Sequence, residues 1–185
     1  MTVLVVAEAV VIGLLAILVI GLLRRNAELL QRLQDGDAAA GEPDPSAVGV
    51  LARDIAGVAL NGQVVGIQVH ESDRPTLLAF MSTVGATCEH FWKQFADPEA
   101  MASLGNTRLI IVTYGHSHER PTEVASLAPP GVPLVMSTIA WQTYGIEGSP
   151  NFVMISADTG RITAKGSALS WEGLLGLVGL SADNR

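Results

Sequence analysis

The chain has 185 residues, a formal net charge of −7 and a single cysteine. Apolar residues make up 49% and charged residues only 16%, with a mean hydropathy of +0.38; disorder over most of the chain is excluded, because it needs the reverse balance. The acidic balance argues against nucleic acid as a partner, since phosphate binding needs clustered Lys and Arg, and one cysteine excludes an internal disulfide, a zinc ribbon and an intramolecular dithiol cycle.

The apolar excess lies at the start. Residues 3–23 are almost continuously apolar, with Glu8 as the only charge. As a helix this run is roughly 31 Å long, enough to cross a bilayer core. It reads as a single-pass membrane anchor with Glu8 near one interface or neutral, because a carboxylate at mid-depth costs about 2.5–3.5 kcal/mol. Two other readings stay open. A cleaved signal peptide would need a basic segment before the run and small residues after it, whereas Arg24 and Arg25 come next. A buried helix of a soluble protein is the other. Arg24 and Arg25, with no Lys or Arg ahead of the run, place the C-terminal domain in the cytoplasm by the positive-inside rule; otherwise it is extracytoplasmic.

Residues 24–34 (RRNAELLQRLQ) continue as a juxtamembrane helix with Leu29, Leu30 and Leu33 on one face. That face leaves a homodimer open. Residues 35–46 (DGDAAAGEPDPS) have the composition of a flexible spacer. The three regions are therefore an anchor at 3–23, a juxtamembrane helix and linker at 24–47, and one globular domain at 48–185. In that domain short apolar runs bounded by breakers predict strands at 63–69, 76–82, 107–114, 133–137, 151–155 and 161–166. Helical patterns fall at 88–95 continuing toward 104, and at 120–127, 138–144 and 171–180. After an opening strand the order is β–α–β–α–β–α–β–β–α. The runs at 76–82 and 107–114 are near-continuous β-prone stretches, as in strands buried on both faces, so helices should cover both sides of the sheet.

Two segments carry a resemblance. Residues 77–95 read LLAFMSTVGATCEHFWKQF and residues 143–166 read TYGIEGSPNFVMISADTGRITAKG. Together they resemble the thioredoxin fold, and in particular the bacterial membrane-anchored thioredoxin-like proteins of the TlpA, ResA and MauD kind. The resemblance implies a three-layer α/β/α sandwich behind one transmembrane helix. It implies that Pro150, after Gly148 and Ser149, is the family's cis-proline, whose flanking Ser149 backbone pairs with an extended substrate. It also places Gly85-Ala86-Thr87-Cys88 where the family has Cys-x-x-Cys. The first position, held by the nucleophilic cysteine at a helix N-terminus, is Gly85; the resolving position is Cys88. A helix start does not by itself need glycine unless its φ is positive. Dithiol exchange needs two thiols, so Cys88 is the one candidate residual thiol. Three roles stay open for it: a buried small hydrophobe, a monothiol forming mixed disulfides, or half of an intermolecular disulfide.

Other groupings carry less. His116 and His118 alternate after a strand but have no third metal ligand. His90 is two residues from Cys88, too close on a helix to face it. Trp92, Trp141 and Trp171 read as core or rim aromatics. No phosphate-cradling loop or Ser–His–Asp signature is present, so neither a metal nor a cofactor is expected. The functional expectation is a membrane-tethered thioredoxin-fold protein without the nucleophilic cysteine. It binds a protein or peptide partner through Gly85, Ala86, Thr87, Ser149 and Pro150. The rivals are a redox enzyme using Cys88 with an external thiol, and a structural membrane assembly protein.

Overall fold

The computed structural model describes residues 43–70 and 72–180. The strands are β1 (Ile55–Val58), β2 (Val64–Ile67), β3 (Thr76–Phe80), β4 (Arg108–Thr113), β5 (Leu134–Met136), β6 (Asn151–Ile155) and β7 (Ile162–Gly166). The helices are α1 (Ala86–Ala96), α2 (Pro98–Ser103), α3 (Pro121–Leu127), α4 (Thr138–Thr143) and α5 (Trp171–Leu177). The expected anchor at 3–23, the juxtamembrane helix at 24–34 and most of the spacer lie outside the described residues. Among the described residues no helix is long and apolar enough to cross a membrane.

The strands form one mixed sheet in the order β2-β1-β5-β4-β3-β6-β7. β3 runs parallel to β4 and antiparallel to β6, and every residue of β3 is buried. Side chains alternate across a strand, so each strand feeds both faces. Leu77, Ala79, Leu109, Ile111, Phe152 and Met154 meet Phe91 and Phe95 of α1 and Leu174 of α5 on one side. Leu78, Phe80, Ile110, Val112 and Val153 meet Ala140 and Trp141 of α4 on the other. Near-continuous apolar runs in the sequence and helices on both faces are thus one fact.

Three expectations change. The helix expected to run from 88 toward 104 is two helices, because Pro98 has no N–H to give and its ring clashes with the preceding turn. Asp97 ends α1 and caps α2, accepting from the Glu99 N–H at 3.0 Å. β1 precedes the first strand expected from the sequence. Its sequence, IAGV, carries Gly57 in mid-strand, a poor strand signal. Glycine is needed there, because a Cβ would lie 2.5 Å from Val135 Cγ2 and 2.6 Å from the Met136 carbonyl oxygen.

The third change concerns the spacer. Its C-terminal end is part of the folded unit: Pro43 bridges Gly166, and Pro45–Ala47 form a 3₁₀ turn capped by Asp44. The Asp44 N–H donates to the Lys165 carbonyl at 2.7 Å, and Gly49 and Val50 pair with Ile162. β7 would otherwise be an open edge, and this stretch closes it.

Tyr144, just after α4, fastens the segment leading into β1. Its hydroxyl donates to the Arg53 carbonyl at 2.6 Å and accepts from the Arg53 N–H at 3.1 Å. Burial, with a smaller push from the Asp54 carboxylate, raises its pKa from 10.0 to about 12. The protonated phenol is therefore favoured by the fold. Its contribution is complete below pH 10 and is lost as pH rises through about 12. Tyr144→Phe is expected to cost about 1 kcal/mol at neutral pH. It should also flatten the loss of stability between pH 10 and 12; urea unfolding across that range checks both.

Candidate functional site

The site grows out of the end of β3. The β3–β6 register sets Phe80, the last residue of β3, opposite Asn151, the first of β6. The loop after β3 and the turn before β6 therefore emerge at the same end of the sheet. The loop is Ser82 to Gly85, and the Ser149–Pro150 peptide bond at the turn is cis.

The loop is held from beneath by Glu119, only 5% exposed. Its carboxylate accepts from Ser82 Oγ at 2.8 Å, from the Thr83 N–H at 3.2 Å and from Thr83 Oγ1. Trp92 Nε1 donates to the Ser82 carbonyl at 2.9 Å. Two neighbouring elements thus clamp the loop by hydrogen bonds. Glu119 went unnoticed in the sequence because a loop residue between His118 and Arg120 carries no periodic signal.

α1 begins at Ala86 with Gly85 as its N-cap, at φ 97° and ψ 137°. That φ is open to glycine and costly for any L side chain. The condition under which a helix start needs glycine is met here, so the backbone at position 85 is unsuited to a cysteine. Gly85 and Ala86 are exposed, Thr87 is half-buried, and Cys88 is 1% exposed. The Cys88 side chain joins the cluster of Phe91, Trp92 and Phe95. As the only sulfhydryl in the chain, it has no intramolecular partner for exchange.

Thr87, Ser149 and Pro150 come together along one open groove of about 670 Å³. Gly148, Asn151 and Lys165 line it further, as do Pro43, Asp44 and Pro45. Gly85 does not join them. It faces a separate hollow of about 470 Å³ with Thr83, Trp92, Lys93 and Leu127. Ala86 lines neither. The groove offers hydroxyls, an amide and backbone groups, and one ion pair: Lys165 Nζ to Asp44 Oδ2 at 2.8 Å. The hydrogen bond from Lys165, with a second from Ser46, pulls the Asp44 carboxyl down from 3.8 to about 2. Its support of the fold is complete above pH 3.8 and is lost as pH falls through about 2.

The remaining candidates stay apart. His116 and His118 are exposed; the His118 ring lies 5.1 Å from that of Tyr114 and bonds Ser117 Oγ. His90 is exposed and packs edge-on to Phe91. Among the described residues no three His, Cys, Asp or Glu side chains converge as a metal set. Trp92, Trp141 and Trp171 are all buried.

No protein-family model matches the chain, and no curated protein matches it in sequence. Solved structures do match its fold. A candidate thiol:disulfide interchange protein DsbE from Chlorobium tepidum superposes with a TM-score of 0.57 at 16% identity, over 71% of this chain and 94% of that one. A secreted Mycobacterium tuberculosis disulfide oxidoreductase, homologous to DsbE, gives 0.53 at 16%, over 68% and 94%. The exposed lipoprotein thioredoxin of Streptococcus pneumoniae gives 0.54 at 14%, over 69% and 98%. Likeness at such identities is one of architecture, and it establishes that the described residues of this chain carry the thioredoxin-like α/β fold.

Proposed function

We propose that this is a membrane-tethered relative of the thiol–disulfide oxidoreductases that binds an extended segment of a partner protein in the groove beside Pro150 and does not exchange disulfides. The observation that carries the reading is the split at the start of α1. The one thiol, on Cys88, is turned into the core, while Thr87, Ser149 and Pro150 stand along an open groove. Extended peptides bind such a rim through main-chain hydrogen bonds, with side-chain pockets adding selectivity. Residues 3–23 serve as the tether, so the partner is itself in or near the membrane. The named oxidoreductases among the structural neighbours support the reading at the level of the fold.

The test is a photo-crosslinking residue placed at Thr87 in the full chain, in native membranes. The control position is Val64, on the opposite edge of the sheet and 85% exposed. Discrete protein adducts at Thr87 and none at Val64 are expected. Equal capture at both, or none at Thr87, overturns the groove reading; a mixed disulfide on Cys88 as the main captured species would instead favour redox chemistry with an external thiol.

A further inference from the structure

We propose that Lys165 is a carboxylate-recognition point of this groove, filled in the present structure by Asp44 of the same chain, and that the partner segment carries an acidic side chain that takes Asp44's place. The proposal rests on the groove reading above. Its physical basis is the state of Lys165. The side chain is 10% exposed, yet it belongs to the groove wall with Pro150. Within reach its ammonium has the Asp44 carboxylate at 2.8 Å and, more weakly, the Gly145 carbonyl at 3.4 Å. A buried ammonium left without its counter-charge is strongly unfavourable. A ligand that displaces Asp44 and keeps water from the ammonium must therefore present a counter-charge there.

The segment now presenting it makes few contacts at the groove itself. Pro43 and Pro45 have no N–H, so Asp44 makes the main-chain bond to Lys165 for that stretch. None of the residues of the 3₁₀ turn that follows is buried. The segment lies antiparallel to β7 as any extended peptide could, with one backbone hydrogen bond and one charge-assisted bond. At the groove it makes the two contacts a partner could copy, and beyond the groove the chain stays tied to β7 through Gly49 and Val50. Glu147, also on the groove wall, would repel a second acidic group, so a single acidic residue with neutral or basic neighbours fits best.

The experiment uses the full chain and the capped peptide Pro-Asp-Pro-Ser-Ala, whose sequence is that of the segment itself, against the same peptide with Asn for Asp. Asp44→Asn removes the internal competitor while keeping its size. The acidic peptide should bind Asp44→Asn at least about tenfold more tightly than it binds the unaltered chain. It should also exceed the Asn peptide by at least about tenfold on Asp44→Asn, the scale of a charge-assisted hydrogen bond. Lys165→Met should abolish the preference and Lys165→Arg should retain it; if Lys165→Met does not fold, the peptide pair on Asp44→Asn decides alone. Equal binding of the two peptides, or binding of neither, overturns the proposal. Partner capture through Thr87 that Lys165→Met leaves unchanged also overturns it, while the groove reading stands.

Discussion

Glu119→Leu is expected to lose about 2–4 kcal/mol of folding stability, the largest effect of any single change at the site. The carboxylate is the acceptor for Ser82 Oγ, the Thr83 N–H and Thr83 Oγ1. Leucine fills the volume but accepts nothing. Three donors in a partly buried loop then lose their partner, and a buried donor left unsatisfied costs about 1–3 kcal/mol; partial access of water to Thr83 reduces the sum. Glu119→Gln keeps one carbonyl oxygen and should lose roughly half as much. The loop should also open locally, so amide exchange at Thr83 should quicken more than at Leu78 in mid-strand β3. Urea unfolding of the pair, with amide exchange on Glu119→Gln, checks this. A leucine variant within 0.5 kcal/mol of the parent, on the scale of about ±0.5 for surface changes, would mean that the clamp does not hold the loop.

Gly85→Cys, which rebuilds Cys-x-x-Cys on paper, should cost about 1–3 kcal/mol and fail to bridge to Cys88. The cost comes from the backbone: at φ 97° an L residue is strained. Space is not the obstacle, since a Cβ at this position would have no heavy atom within 4 Å. The same openness argues against a bridge. In a disulfide each Cβ lies roughly 3 Å from the partner's sulfur, and Cys88 Sγ is not within 4 Å of that Cβ. Gly85→Ala should cost as much, which separates backbone strain from anything specific to sulfur. After mild oxidation the new thiol at position 85 should still be free and alkylate promptly. A prompt intramolecular disulfide at unchanged stability would show that the turn readily adopts a negative φ.

Much of this architecture was legible because burial on both faces leaves a plain mark. The strands at β3, β4, β6 and β7 fall where apolar runs meet breakers, and α3, α4 and α5 fall within a few residues of their expected ends. Features decided at a distance were not legible. β1 hides behind Gly57, whose need for a bare Cα arises from Val135 and Met136, far along the chain. Pro43 to Ala47 has the composition of a spacer, and only the open edge of β7 and the charge of Lys165 give it a place. Thr87, Ser149 and Pro150, expected from the resemblance to share a site, line one groove. Gly85 falls at the start of α1, and the positive sign of its φ is not written in its own residue type. Glu119 and Lys165 were missed for one reason: a single charged residue among loop or alternating positions gives no hint that it points inward.

The central claim is that the one thiol belongs to the core and the groove works without it. The direct measurement is the rate at which Cys88 in the full chain reacts with a small alkylating reagent, followed across a urea series. At 1% exposure the sulfur is reached only when the structure opens. The account predicts slow modification without denaturant, a rate that climbs in step with unfolding, and a free thiol as the resting state. Prompt modification of the folded protein, or a resting population already in mixed disulfide, would contradict it.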